Sequence, residues 1–201
     1  MAQGLNYGPL GRNCVHVCVD MQKLFDEGTE WATPWMRRVL PNVEAILRGH
    51  AAQTIFTRFV PARRPGEGEG TWKRYYERWA SMTIEAIGED MIDLLPPLRE
   101  FVPPATVIDK KVYSPWLDSG LEAELKRRGT DTLMITGGET DVCVLGTVLG
   151  AVDRGYRTVI VADALCSSAD ETHDASMKVY HDRYGQQVET IDTADLIKEW
   201  R

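Results

Sequence analysis

The stretch TLMITGGETDVCVLGTVLGAVDRGYRTVIVA, residues 132–162, decides the fold because it holds a strand, a turn, a helix and a second strand in succession. Short β-branched runs at 132–136 and 157–162 predict the two strands. Between them, residues 141–154 have a helical pattern, and Gly155 suits the C-terminal cap of that helix. This order predicts two parallel strands connected by a helix.

The same alternation continues outward to both ends of the chain. Gly129 suits a second C-terminal cap, and Ser168 followed by Glu171 has the form of a capping box. Nearly continuous apolar strands that alternate with helices predict an α/β fold of three layers. We therefore expect one Rossmann-like, doubly wound domain over residues 1–201, with a mostly parallel six-stranded sheet. The predicted strands are 14–19, 53–58, 106–108, 132–136, 157–162 and 188–191, and the predicted helices are 34–50, 82–95, 118–128, 141–154, 171–184 and 194–200.

The composition favours a small molecule as the partner. The 201 residues are 43% hydrophobic, which suffices for one globular core, and the formal net charge is −7. Nucleic acids and anionic membranes attract an excess of Lys and Arg, so we expect neither as a partner. No leader-like start and no run of about 20 apolar residues is present, so we expect a cytoplasmic protein. Its four cysteines are then expected as free thiols, with Cys14 and Cys18 packed on one strand face.

An irregular segment and an aromatic helix lie between the second and third predicted strands. The three Gly and two Pro of residues 59–70, FVPARRPGEGEG, predict a surface loop. The next residues place four aromatic side chains at i, i+3, i+4 and i+7, which forms one stripe on a helix. Core packing, a subunit interface and a lid over a pocket all remain open for this aromatic stripe. Its residues are Trp72, Tyr75, Tyr76 and Trp79.

Three polar residues mark the expected site, because each falls at or just past the carboxyl end of a predicted strand. Asp20 ends CVHVCVD, Lys110 follows TVID, and Cys143 lies just after the strand TLMIT. The carboxyl ends of parallel strands share one edge of the sheet, so these side chains are expected to converge. A thiol at a helix start is favoured as thiolate, and the free N–H groups there suit an oxyanion. From position alone, an inert buried Cys143 stays an alternative.

The segments VDMQKLF, VIDKKVYSPW and GGETDVCVLGTVLGAVDRGY, in this order, resemble the signature segments of the isochorismatase-like cysteine hydrolases. The resemblance runs from about Cys14 to the C-terminus and implies the α/β sheet of that family. It also implies a catalytic triad of Asp20, Lys110 and Cys143. Lys111 is the adjacent alternative, but the family pattern has its lysine three residues before a Tyr-Ser pair, here Tyr113-Ser114, which selects Lys110.

The resemblance also implies a reaction. Asp20 takes the thiol proton, the Cys143 thiolate attacks a carbonyl carbon, and a thioester forms and is hydrolysed. Lys110 supplies positive charge that favours the thiolate. The family has a cis peptide bond before the cysteine, here between Gly138 and Glu139, and the N–H groups of Glu139 and Cys143 are implied as the oxyanion hole.

Several residues near the triad are candidates for substrate contact. Arg58 follows the second strand on the same sheet edge and is suited to a carboxylate or carbonyl. Gln22 is expected to bind either substrate or nearby backbone, and the aromatic residues either to wall the pocket or to pack in the core. These aromatic candidates are Phe25, Tyr113 and Trp116.

We expect no metal and no other cofactor. Nicotinamidases of this superfamily carry an Asp-x-His metal segment after the second strand, where this chain reads TRFVPARRP. His16 is expected in the core, and His50, His173 and His181 at the surface or at helix ends.

The sequence therefore predicts a hydrolase that cleaves an amide, carbamoyl or ureido C–N bond. The alternatives are vinyl ether hydrolysis of the isochorismatase type, which needs no cysteine nucleophile, and a non-catalytic binding protein on the same scaffold. A redox role for the thiols is a further alternative. A homodimer or homotetramer is expected, with the aromatic stripe as a contact surface.

Overall fold

A computed structural model describes residues 2–200 of the chain, and its centre is a six-stranded sheet. The order across the sheet is β3-β2-β1-β4-β5-β6, and every adjacent pair is parallel. The winding changes direction between β1 and β4, which is the place where ligands bind in open α/β sheets. The strands are β1 (Cys14–Val19), β2 (Thr54–Phe59), β3 (Thr106–Lys110), β4 (Thr132–Gly138), β5 (Arg157–Cys166) and β6 (Val188–Ile191).

Eight α-helices connect and flank these strands in the described part of the chain. None of the helices between residues 2 and 200 has the length and apolar character needed to cross a membrane. The helices are α1 (Met36–His50), α2 (Thr71–Arg78), α3 (Ile84–Ile87), α4 (Pro96–Arg99), α5 (Leu121–Arg127), α6 (Cys143–Asp153), α7 (Asp170–Tyr184) and α8 (Thr193–Glu199).

The two faces of the sheet carry separate apolar cores, because side chains alternate along each strand. On one face, Cys14 and Cys18 of β1 pack in the core that includes Ile46 of α1. On the other face, Val17 of β1 packs in the core that includes Val148 of α6. The predicted three-layer α/β fold and the shared face of the two cysteines are thus confirmed.

The predicted helix over 82–95 is wrong. This segment contains two short α-helical or 3₁₀ turns on either side of Gly88, which has φ +86° and ψ 153° and so interrupts the helix. Beyond it, Leu94 forms an antiparallel bridge with Gln22, and the N–H of Leu95 donates to Met21 O at 3.0 Å. Leu94 and Leu95, at the end of the segment, are extended and buried. The helical spacing of apolar residues over 82–95 did not indicate this.

Gly137 shapes the end of β4 beside β1. Its φ is +99°, and a Cβ at this position would lie 2.1 Å from Val19 O. The register of β4 against β5 also shifts between Ile135 and Gly137. Only glycine fits such a close approach, so the first glycine of the GGETDVC segment is required by strand packing.

The helix ends agree with the sequence at two positions and differ at a third. Gly129 and Gly155 follow α5 and α6 with φ +64° and +78°, so both predicted C-terminal caps are confirmed. The capping box is wrong, because α7 begins at Asp170 and no side chain caps it. The N–H of Ser168 instead donates to Glu139 Oε1 at 3.0 Å.

Candidate active site

The three predicted triad residues meet at the carboxyl edge of the sheet. Asp20 directly follows β1, Lys110 is the last residue of β3, and Cys143 is the first residue of α6. Since β3 is separated from β1 by β2, the lysine side chain has to cross the end of β2. Its Nζ lies 5.0 Å from the centroid of the Phe59 ring, which ends that strand. The length of a lysine side chain is therefore what connects the edge strand to the centre of the sheet.

The Lys110 ammonium contacts both of the other predicted triad residues. Its Nζ lies 2.6 Å from Asp20 Oδ2, and the two side chains are 0% and 1% exposed. The same Nζ donates to Val112 O at 3.1 Å and to Cys143 Sγ at 3.5 Å. Thr57 Oγ1 donates to the other carboxylate oxygen of Asp20 at 2.6 Å. The ammonium thus has three protein acceptors within 3.5 Å, two of them in hydrogen bonds and Asp20 in an ion pair.

The surroundings of the Cys143 sulfur favour the neutral thiol. Burial raises its pKa, and the Asp20 charge raises it further, while Lys110 acts in the opposite direction without reversing the shift. This differs from the expectation that the helix start favours the thiolate. For Lys110, burial acts to lower the pKa, but the Asp20 charge and the contact with the Cys143 sulfur raise it overall, so the ammonium stays charged. A thiolate therefore requires a proton acceptor, and Asp20 is the carboxylate in place.

The start of α6 offers two free backbone donors beside the sulfur. Within residues 2–200, neither the N–H of Glu139 nor that of Cys143 donates to a protein acceptor. The carbonyl of Glu139 is occupied, because it accepts from the N–H groups of Val142 and Val144 at 3.1 and 3.0 Å. The peptide bond between Gly138 and Glu139 is cis. Free N–H groups at a helix start suit a developing negative charge on oxygen.

A cavity of about 300 Å³ opens onto Cys143. Trp31 lies at the centre of its wall, with ring centroids 5.8 Å from Tyr75 and 6.0 Å from both Phe59 and Trp79. Asp20 and Lys110 are not part of the lining, so Cys143 is the one of these three residues that a ligand would contact. Six aromatic residues line this aromatic cavity: Phe25, Trp31, Phe59, Tyr75, Trp79 and Tyr113.

Two of the five predicted substrate contacts, Phe25 and Tyr113, line the cavity. Gln22 does not, because its amide is used by the backbone around it. Its Nε2 donates to Phe59 O at 3.0 Å and to Ile92 O at 2.7 Å, and its Oε1 accepts from the N–H of Phe59 at 2.6 Å. Gln22 is thus a structural residue that holds β2 to the segment before α4.

Arg58 and Trp116 also lie outside the cavity lining. The Arg58 guanidinium donates to both carboxylate oxygens of Asp109 at 2.7 and 3.0 Å, because these neighbouring strand residues pair directly. Trp116 packs against α6, and its Nε1 donates to Thr147 O at 2.9 Å. The predictions of substrate contact for these two side chains are not supported by their positions.

The sequence did not indicate Trp31 as a cavity residue, and it left the role of the aromatic stripe undecided. Trp31 lies in GTEWATPW, which has no periodic pattern that would have indicated a pocket wall. In the stripe, Tyr76 is buried, whereas Tyr75 and Trp79 line the cavity. Trp72 contacts the ring of Tyr113 at 4.8 Å. Helix α2 therefore covers the cavity, and the regular spacing of its aromatic residues was the signal for it.

The histidines are dispersed. Within residues 2–200 no group of three or more His, Cys, Asp or Glu side chains is placed to hold a metal ion. His16 is fully buried, as expected. His173 lies in the first turn of α7, at the expected helix end, and is 9% exposed; its Nδ1 lies 2.9 Å from Thr140 Oγ1 and its ring centroid 5.3 Å from that of Trp35.

Known proteins share this fold and parts of this sequence. The uncharacterized isochorismatase family protein YwoC of Bacillus subtilis (strain 168) is 30% identical over 105 residues, which are 49% of this chain and 56% of that protein. A cysteine hydrolase from Pseudomonas syringae pv. phaseolicola 1448A superimposes with a TM-score of 0.82 at 23% identity over 99% of this chain and 98% of that one. For N-carbamoylsarcosine amidase from Thermoplasma acidophilum the TM-score is 0.72 at 21% identity, with 90% and 96% covered.

The likeness to these structures concerns the fold, since their identities are below a quarter. The first curated relatives are matched over 56% to 59% of their own length, so the chain spans less than two thirds of each. The family model of the isochorismatase domain, in contrast, matches residues 14–194, which is most of the sequence. With its parallel sheet and its site at the sheet edge, the chain therefore belongs to the isochorismatase family.

Proposed function

We propose that this chain is a hydrolase that uses Cys143 to cleave a C–N bond of a small amide, carbamoyl or ureido compound through a thioester. The observation that carries the proposal is a line of contacts from the cavity inward. Cys143 lines the cavity, its sulfur accepts from Lys110 Nζ at 3.5 Å, and that Nζ lies 2.6 Å from Asp20. Neighbours named cysteine hydrolase and N-carbamoylsarcosine amidase support the same type of reaction.

In the first half-reaction, the Asp20 carboxylate accepts the thiol proton and the Cys143 sulfur attacks the carbonyl carbon. The carbonyl oxygen becomes an oxyanion that accepts from the N–H groups of Glu139 and Cys143; the absence of protein acceptors for these two groups in the described part of the chain supports this role. The C–N bond then breaks as Asp20 returns the proton to the leaving nitrogen, and a thioester remains. In the second half-reaction, Asp20 takes a proton from water as the water oxygen attacks the thioester carbon. The C–S bond then breaks, the acid is released, and Asp20 returns the proton to the Cys143 sulfur.

The test is detection of the acyl-enzyme. Rapidly quenched enzyme with a turned-over amide should show, by intact mass spectrometry, one acyl group, and peptide mapping should locate it on Cys143. Cys143→Ala should lose the adduct and reduce kcat by at least about 10⁴-fold, because the thiol makes the bond. Asp20→Asn should also lack the adduct, since an amide cannot accept the proton.

Cys14→Ala is the matched control, because Cys14 is equally buried but lies at the other end of β1. It should keep both adduct and turnover. Substantial turnover by Cys143→Ala would refute covalent catalysis and favour direct attack by water, as in vinyl ether hydrolysis.

A further inference from the structure

The charged side chains that line the cavity are both acidic. Among its described lining residues, Glu30 and Glu139 are charged, and no Lys, Arg or His is present. The Glu139 carboxylate is held at the cavity by the N–H of Ser168, which donates to its Oε1 at 3.0 Å. A carboxylate on the substrate would therefore meet two negative side chains and no positive one in the described cavity lining.

The nearby cations are already engaged. Lys110 Nζ is paired with Asp20 at 2.6 Å and donates to Val112 O and Cys143 Sγ. Arg58 is paired with Asp109 through two hydrogen bonds. Neither group can turn to a substrate carboxylate without leaving a buried or paired acid behind.

The aromatic wall offers the complementary surface for a cation. The rings of Trp31, Tyr75 and Trp79 lie within 6.5 Å of one another, centroid to centroid. Such a group of π-faces binds organic cations, and Trp is the ring that binds them best. Glu30, adjacent to Trp31 in sequence, adds negative charge on the same wall.

Two buried polar atoms at the cavity lack partners. Trp31 Nε1 and Thr33 Oγ1 make no hydrogen bond with the described residues, and Thr33 is 3% exposed. Both residues line the cavity. Buried polar atoms are almost always satisfied, so these two indicate a polar ligand group beside the aromatic rings.

On the basis of the proposed hydrolase function, we propose that the substrate is an amide without a carboxylate, whose non-reacting end is an alkylated ammonium group bound among Trp31, Tyr75 and Trp79. The reacting carbonyl then lies at Cys143, and Trp31 Nε1 or Thr33 Oγ1 binds a further polar atom of the ligand.

Three primary amides of similar size test this assignment. Trimethylammonioacetamide carries the cation, 3,3-dimethylbutanamide is its neutral isostere, and malonamate carries a carboxylate instead. Ammonia release should give a kcat/KM about tenfold or more higher for the cation than for its isostere. Malonamate should be the poorest substrate of the three.

Glu30→Gln should reduce the preference for the cation over the isostere several-fold, because it removes one of the two negative charges that line the cavity. Glu27→Gln is the matched control, since Glu27 is exposed like Glu30 and lies three residues away but is not part of the lining. It should leave the preference unchanged.

Binding to Cys143→Ala, measured by calorimetry with the same three amides, separates this proposal from the proposed chemistry. We expect trimethylammonioacetamide to bind best of the three amides. If it binds best but no amide is turned over, the hydrolase function is refuted and the substrate-end assignment stands. Turnover in which the isostere or malonamate equals the cation would overturn the substrate assignment and leave the hydrolase function standing. Absence of binding by the cation would overturn the assignment as well.

Discussion

At the scale of single residues, the ion pair between Lys110 and Asp20 affects both the stability of the fold and the proposed reaction. Lys110 and Asp20 are both fully buried, so each charge depends on the other. Removal of one partner leaves an uncompensated buried charge, which typically costs about 3–5 kcal/mol. Removal of both leaves no such charge. The pair should therefore behave as one unit in unfolding experiments.

We predict that Lys110→Met and Asp20→Asn each lower the free energy of unfolding by about 3–5 kcal/mol, and that the double variant loses at least about 2 kcal/mol less than their sum. Urea denaturation at pH 7 of all four proteins measures this coupling. Lys111→Met is the control, because Lys111 is exposed and should change stability by less than about 0.5 kcal/mol. Additive losses for the pair would contradict the assignment.

The convergence of Asp20, Lys110 and Cys143 was predictable from sequence, because strand ends in a parallel sheet share an edge. The state of the sulfur was not. Helix position alone favours a thiolate at Cys143, whereas burial, which depends on the whole fold, raises its pKa. Likewise, Gln22 and Arg58 have the right place in sequence, but partners distant in sequence, such as Ile92 and Asp109, occupy their polar groups.

At the scale of elements, helix α6 presents small residues to the segment that follows Lys110. A Cβ on Gly150 would lie 2.1 Å from Trp116 Cδ1, whereas a Cβ on Gly146 would lie 3.4 Å from Ser114 Cα. Trp116 is further fixed by its hydrogen bond to Thr147 O and by the Arg154 guanidinium, 4.6 Å from its ring. The two glycines thus differ sharply in the space they require.

We expect Gly150→Ala to lower the free energy of unfolding by about 1–3 kcal/mol, because overpacking against Trp116 exceeds the gain in helix propensity of about 1 kcal/mol. Gly146→Ala should change it by less than about 1 kcal/mol or raise it, since its contacts are of ordinary length. Thermal and urea unfolding of the two variants provide the comparison. Equal changes in the free energy of unfolding for the two variants would show that Trp116 does not pack closely against Gly150.

Element bounds were predictable where local signals decide them. Strands β1 and β6 have the predicted limits, and the glycine caps end α5 and α6 as expected. Strand β5 continues to Cys166, four residues beyond the prediction, because Leu165 and Cys166 pair with β4 after its register shift. Such an extension depends on a neighbouring strand and leaves no pattern within the segment itself.

At the scale of the whole molecule, one buried histidine connects three strands. His16 of β1 lies 3.1 Å from Thr54 Oγ1 of β2 and 2.7 Å from Thr136 Oγ1 of β4, through its two ring nitrogens. Burial, with a smaller contribution from His50, lowers its pKa from 6.5 to about 3. The folded chain thus keeps this ring neutral, whereas the unfolded chain protonates it below about pH 6.5.

Unfolding therefore takes up a proton at His16 between about pH 6.5 and about 3, and stability is lost as the pH falls through this window. We predict that this residue contributes a loss of up to about 1.4 kcal/mol per pH unit below pH 6.5. Urea midpoints at pH 7 and pH 5 should fall less in His16→Gln than in the parent chain. His181→Gln should keep most of the slope, because His181 is only half-buried. If the stability of His16→Gln depends on pH as strongly as that of the parent chain, protonation of His16 is not the cause of the loss.

The wall of the aromatic cavity has an optical consequence. Two of the six tryptophans of the chain, Trp31 and Trp79, line the space that a substrate would enter. Indole emission depends on the polarity and mobility of its surroundings, so a molecule that displaces solvent from these rings changes the fluorescence of the unmodified protein. The chain thus carries its own spectroscopic reporter, through which the filling and emptying of the cavity can be followed in real time with substrates that have no chromophore.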